Sequence, residues 1–144
     1  MGPDAFDFWL GEWNCATEAG SAINSITQEY SGRVLVERFT VLGPPSWSGM
    51  STSVYSPHDG WRQTWVDQDG NYWALRGCLV DGDPCFATDG PVDSDQLFKR
   101  MVFSDIGPES LHWRWETSPD ESVWTPRLTA AYTRRSAANR DQPG

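Results

Sequence analysis

Along most of the chain, β-branched and aromatic residues alternate with polar ones in short runs. This two-residue period belongs to half-buried strands. The runs predict strands over Trp13–Glu18, Ala22–Tyr30, Arg33–Leu42, Gly49–Ser56, Trp61–Asp67 and Asn71–Val80. Asp83–Ala87, Gln96–Ser104, Ser110–Thr117 and Val123–Arg134 follow. The breaks are turn chemistry: Ser31-Gly32, His58-Asp59-Gly60, Gln68-Asp69-Gly70, Asp81-Gly82 and Ser118-Pro119-Asp120. Only Pro3 to Leu10 reads as a short helical segment. The fold class is therefore all-β, with roughly ten antiparallel strands joined by short hairpins, as an up-and-down barrel or a sandwich. One domain is expected over residues 1–144, with 1–5 and 136–144 loose. Thr88 to Asp95, rich in Asp, Pro and Gly, reads as a surface loop.

The turns also fix which side chains share a face. His58-Asp59-Gly60 and Gln68-Asp69-Gly70 each suit a three-residue hairpin loop ending in a left-handed glycine. That geometry sets Tyr55 opposite Gln63, Ser53 opposite Trp65, Trp65 opposite Trp73 and Gln63 opposite Leu75. Cross-strand partners point the same way. The other face carries Arg62, Thr64, Arg76 and similar residues, so the ring-rich face is read as interior. The same parity sends Leu35, Glu37, Phe39 and Val41 inside, with Arg38 outside. It sends Leu111, Trp113 and Trp115 inside, with His112, Arg114 and Glu116 outside. Trp124, Leu128, Ala130 and Tyr132 go inside on the last strand. Parity does not decide the stretch around Lys99 and Arg100.

The interior thus predicted mixes rings with polar groups. Trp65, Trp73, Trp113, Trp115 and Phe39 lie beside Glu37, Tyr55, Gln63, Ser53 and Asn24. A closed core avoids an unpaired carboxylate, which costs several kcal/mol to bury. An aromatic cavity with a few polar groups is how a small-molecule site is built.

Composition narrows the partners. The 144 residues carry 20 Asp plus Glu against 11 Lys plus Arg, a net charge of -9. That balance excludes a general nucleic-acid binder or an electrostatic anchor to an anionic membrane. No apolar run is long enough for a membrane helix, and no secretory signal opens the chain, so the expected location is cytoplasmic. Nine tryptophans strengthen the reading of an aromatic cavity. The three cysteines form an odd set. Asp81-Gly82 sets Cys78 directly opposite Cys85, but in a cytoplasmic protein they are expected as free thiols. No histidine pair has metal-ligand spacing, so neither metal nor cofactor is expected. Ser-His-Asp, phosphate-loop and dinucleotide motifs are absent.

Glu37 and Tyr55 are the candidate catalytic residues. A carboxyl in an apolar cavity has its pKa raised by desolvation and can serve as general acid or base. Its plain alternative is a structural carboxylate bonded to Gln63, Asn24 or an arginine. Tyr55 and Gln63 would polarise a ligand carbonyl, or merely satisfy each other. Asn24, Phe39, Ser53, Gln63, Trp65, Trp73, Leu75, Trp113, Trp115 and Tyr132 are the candidate substrate-binding residues.

Phe6-Asp7-Phe8-Trp9-Leu10-Gly11-Glu12-Trp13, Gly32-Arg33-Val34-Leu35-Val36-Glu37 and Trp61-Arg62-Gln63-Thr64-Trp65-Val66-Asp67 resemble motifs of the DUF1579 family of uncharacterised bacterial proteins. Ser51-x-Ser53-x-Tyr55, Leu75-x-Gly77 and Tyr132-Thr133-Arg134-Arg135 fit as well. Gly11-Glu12-Trp13 is also similar to the Gly-x-Trp of lipocalin and calycin barrels. The resemblance implies a calycin-like barrel in which Arg134 or Arg135 stacks on Trp13. It implies no particular activity. The resulting expectation is a barrel that holds an apolar or polycyclic metabolite and turns it over without a cofactor, by cyclisation, isomerisation or elimination. The alternatives are a non-catalytic carrier or sensor of a hydrophobic ligand, haem included, and a structural protein with a filled barrel. A homodimer is left open.

Overall fold

The computed structural model describes residues 1–135. The predicted tail, Ser136 to Gly144, lies outside the described residues. Among the described residues, ten strands follow one 3-10 turn, Asp7–Trp9. They are β1 Gly11–Thr17, β2 Gly20–Glu29, β3 Val34–Val41, β4 Trp47–Ser56 and β5 Gly60–Asp67. Then come β6 Tyr72–Val80, β7 Asp83–Thr88, β8 Phe98–Ser104, β9 Ser110–Ser118 and β10 Thr125–Arg134. Each pairs antiparallel with its neighbour in sequence, and β10 returns to pair with β1. The result is a closed up-and-down barrel with no free edge, which removes the hazard of unpaired strand edges. Among the described residues, no helix is long and apolar enough to cross a membrane.

The short helical segment expected within Pro3 to Leu10 is a single 3-10 turn, Asp7–Trp9. That turn plugs one end of the barrel. Phe6 is fully buried and stacks on Phe86 at 4.3 Å, while Phe103 meets both Phe6 and Trp9 edge-on. Burying one such side chain contributes up to about 3 kcal/mol. Residues 1–5, expected to be loose, have contacts of their own, since the Gly2 carbonyl accepts the Trp61 indole N–H at 3.0 Å. Arg134 lies over the Trp13 ring at 4.2 Å and donates to the carbonyls of Leu10, Phe8 and Pro108.

The inward face is the expected one. Trp65 faces Trp73, and Gln63 faces Leu75. Between β4 and β5, however, the partners are displaced by two residues. Tyr55 faces Trp61, Ser53 faces Gln63 and Ser51 faces Trp65. Gly60 is left-handed as expected, with φ of 72°, but it pairs with Ser56 inside the ladder instead of lying in the loop. A shift of two preserves parity, so no side chain changes face.

Two expectations are corrected. Trp124 is outside the barrel, packed on the Arg100 guanidinium at 3.9 Å. A register irregularity between Pro126 and Leu128 adds a residue to β10 and reverses parity before it. The Arg100 that Trp124 covers is paired at 2.6 Å with Glu116, itself buried on the outer face. Cys78 and Cys85 do lie directly opposite, with Cα atoms 4.8 Å apart, and they form a disulfide rather than two free thiols. Facing positions in the ladder bring them within disulfide range. Lys99, which parity left undecided, faces Thr117 and is 7% exposed.

Candidate functional site: an aromatic cavity with a buried carboxyl

Away from the plug, the core is not filled. A cavity of about 190 Å³ opens between the ends of β3–β6 and β8–β10. Its walls are Phe39, Trp47, Trp65, Trp73, Trp113 and Trp115, with Met101 and Leu128. Trp47 stacks on Trp65, with ring centroids 6.2 Å apart, and Trp73 on Trp115 at 5.1 Å. The alternation of the strands explains the density of rings. Trp65 and Trp73 are cross-strand partners, as are Met101 and Trp115, then Trp115 and Leu128.

Glu37 and Tyr132 supply the polar part of the lining furthest along the barrel. The Glu37 carboxyl accepts from Asn24 Nδ2 at 2.8 Å and from Ser51 Oγ at 2.7 Å. Asn24 Nδ2 also donates to the Tyr132 hydroxyl at 2.9 Å. Burial pushes Glu37 above the usual carboxylate range, against the opposing effect of those two hydrogen bonds. Burial likewise raises Tyr132 well above its usual value and takes the neighbouring Cys15 thiol up to about 12. The groups around Glu37 are therefore hydrogen-bonding and uncharged, and no cation balances its carboxyl among the described residues. Asn24 Oδ1, beside it, is buried with no partner.

The mouth has a different chemistry. Trp65 donates its indole N–H to Asp67 at 2.9 Å, Trp47 donates to Asp69 at 2.8 Å, and Trp73 donates to Asp93 at 2.8 Å. Burial acts to raise Asp67, but hydrogen bonds from Trp65, Asn71 and the turn backbone outweigh it and hold the carboxyl below its usual value. The Lys99 ammonium contacts Asp93 at 2.6 Å and Asp95 at 3.3 Å, and lies 5.4 Å from the Trp73 ring centroid. Its hydrogen bond is the first cause that holds Asp93 low.

The predicted site residues divide into two groups. Glu37, Phe39, Trp65, Trp73, Trp113, Trp115 and Tyr132 line the cavity, and Asn24 is joined to it through Glu37. Tyr55, Ser53, Gln63 and Leu75 do not line it. Tyr55 packs on Trp61 toward the plugged end, with ring centroids 5.8 Å apart. Gln63 donates to Ser53 rather than meeting Tyr55, and its Oε1 is buried without a partner. Trp47, Asp67, Asn71, Met101 and Leu128 line the cavity without having been singled out. Trp47 escaped because β4 begins two residues before the predicted Gly49. Asp67 and Asn71 read as turn residues, which they are, but the turn borders the mouth.

Compared with protein-family models and with curated proteins, the chain matches none.

Proposed function

We propose that this protein binds a small planar molecule of one or two rings in the aromatic cavity, with a polar group of the ligand directed at Glu37. The observation that carries this reading is the Glu37 carboxyl, 6% exposed and without a cation among the described residues, inside a space walled by tryptophan. Such a group is costly to keep in a core that has no use for it. The volume argues for a modest ligand. About 150 Å³ houses benzene in an apolar cavity, so 190 Å³ suits one or two rings and not a larger polycycle. The histidines are misplaced for haem, with His58 in an exposed turn and His112 exposed beside Asp105.

One observation favours turnover over simple carriage. The Glu37 oxygens are oriented by Asn24 and Ser51, and burial favours the neutral acid. A carboxyl held in place can carry a proton from one position of a bound ring to another, a prototropic isomerisation that needs no cofactor. Tyr55 and Gln63 have no part in this version. The calycin-like comparison and membership of the DUF1579 family belong to the same proposal. The Trp13–Arg134 stack supports the first, and the motif residues alone support the second.

The test is native mass spectrometry of the protein from its own host, followed by calorimetric titration with one- and two-ring compounds. Binding is expected in the wild type and lost in Leu128→Trp, which fills the cavity while the fold is retained. An empty protein that binds none of these compounds would overturn the proposal. If a substrate is found, Glu37→Gln abolishes its turnover, because the amide can neither give nor take a proton. Full activity in that variant would remove Glu37 from the chemistry.

A further inference from the structure

We infer that the ligand of this cavity is an organic cation, a protonated or quaternary amine carried on a single ring. This rests on the proposal that the cavity is a ligand site, and it names the chemical class the site takes.

The walls are the first reason. An indole offers two things to a ligand: an N–H donor at its edge and a negative π face. At the mouth, Trp47, Trp65 and Trp73 have each committed the N–H to an aspartate. These rings therefore have no donor left for an anion or a carbonyl. What they offer is the face, and a carboxylate at the ring's positive edge adds to the negative potential over that face.

Charge is the second reason. Asp67, Asp69, Asp93 and Asp95 all lie at this end of the barrel. Among the described residues, the basic side chains there are already engaged. Lys99 is paired with Asp93 and Asp95, and Arg127 donates to Thr117 at 2.9 Å. The fold itself sets cations on indole faces repeatedly: Arg134 on Trp13, Arg100 on Trp124 and Lys99 near Trp73.

The third reason is the far end of the cavity. The groups packed around Glu37 are Asn24, Ser51, Cys15 and Tyr132, and none brings a positive charge. A buried carboxylate with no counter-ion carries an uncompensated desolvation cost, which a cationic ligand offsets. A cation entering between the tryptophans reaches a carboxyl that is able to ionise against it.

The experiment is calorimetric titration of the full chain with phenyltrimethylammonium and with tert-butylbenzene. The two probes have nearly the same shape and differ by one positive charge. The ammonium probe is expected to bind at least about tenfold more tightly, equivalent to about 1.4 kcal/mol. Glu37→Gln is expected to erase most of that preference and leave tert-butylbenzene unchanged. Equal binding of the two probes, or a preference for the neutral one, overturns the inference and leaves the cavity standing as a ligand site. A preference for the cation that survives unchanged in Glu37→Gln overturns the role given to that carboxyl. Failure of both probes overturns the ligand site itself, and the inference with it.

Discussion

Trp13 and Arg134 are cross-strand partners on the first and last strands of the barrel, and the guanidinium lies 4.2 Å from the indole centroid. The same guanidinium donates to the carbonyls of Phe8, Leu10 and Pro108, so one side chain joins the barrel seam to the N-terminal plug and the β8–β9 connection. Arg134→Ala is expected to cost roughly 2–4 kcal/mol, because it removes charged hydrogen bonds together with the stack. Thermal unfolding should register a fall of roughly 5–10 °C. Arg134→Lys retains the charge but not the planar fork, and should fall between the two. An Ala variant as stable as the wild type would show that the seam holds without this clamp.

Glu37 makes stability depend on pH in a defined direction. Burial raises its folded value above the ordinary 4.5. Below 4.5 the group is protonated in both states and its contribution is complete. As pH rises through the folded value, the buried acid must ionise and that stability is lost. Cys15 and Tyr132, raised by burial, stay protonated over this range. Chemical denaturation of Glu37→Gln and wild type should therefore give a gap that widens in favour of the variant as pH rises. Its slope is at most about 1.4 kcal/mol per pH unit. A gap that stays constant would mean that Glu37 is already ionised and satisfied in the fold.

Gly49 faces Phe39 on one side and Asp67 on the other, beneath the Trp65 ring. A Cβ placed there would overlap the six-membered ring of Trp65. Gly49→Ala must displace the indole that forms one wall of the cavity, at a cost of roughly 1–3 kcal/mol. Near-ultraviolet circular dichroism should change, and any cavity ligand should bind roughly tenfold more weakly, a difference of about 1.4 kcal/mol. Unchanged spectra and unchanged affinity would show that Trp65 has room to move and does not shape the site.

The Cys78–Cys85 bond closes the β6–β7 hairpin. Protein purified without reductant and then denatured should titrate one thiol, Cys15, in place of three. Replacing both Cys78 and Cys85 by serine should cost roughly 2–3 kcal/mol, the loop-closure value for a loop this short. Three titratable thiols would return the pair to the reduced state expected for a cytoplasmic setting.

The barrel was legible in the sequence because its hairpin turns carry their geometry locally. Asp81-Gly82 set Cys78 opposite Cys85, and Gln68-Asp69-Gly70 set Trp65 opposite Trp73, as observed. Inside and outside followed from alternation, which a two-residue slip between β4 and β5 left intact. Trp124 lies on the face opposite to the one alternation predicts, because a bulge is a single extra residue that local pattern does not announce. The site was less legible than the fold, because alternation reports a face and not a depth. Tyr55 and Glu37 share the inner face, yet one lies toward the plug and the other in the cavity. Depth is set by strand tilt and by where residues 6–10 fill the barrel, and both are tertiary. The pairing of Trp47 with Asp69, 22 residues apart, is tertiary in the same sense.

Closure through β1 and β10 also bears on how the chain is made. The ladder between Trp13 and Arg134 joins positions at opposite ends of the fold. Hairpins from β2 to β9 can form one after another as the polypeptide leaves the ribosome, since each pairs with its sequence neighbour. The seam cannot form until residues 125–134 have emerged, and until then β1 and β9 each expose an unpaired edge. The open sheet is thus the aggregation-prone species during synthesis. Translation that pauses before β10 would prolong its lifetime, and release of that last strand ends it in one step.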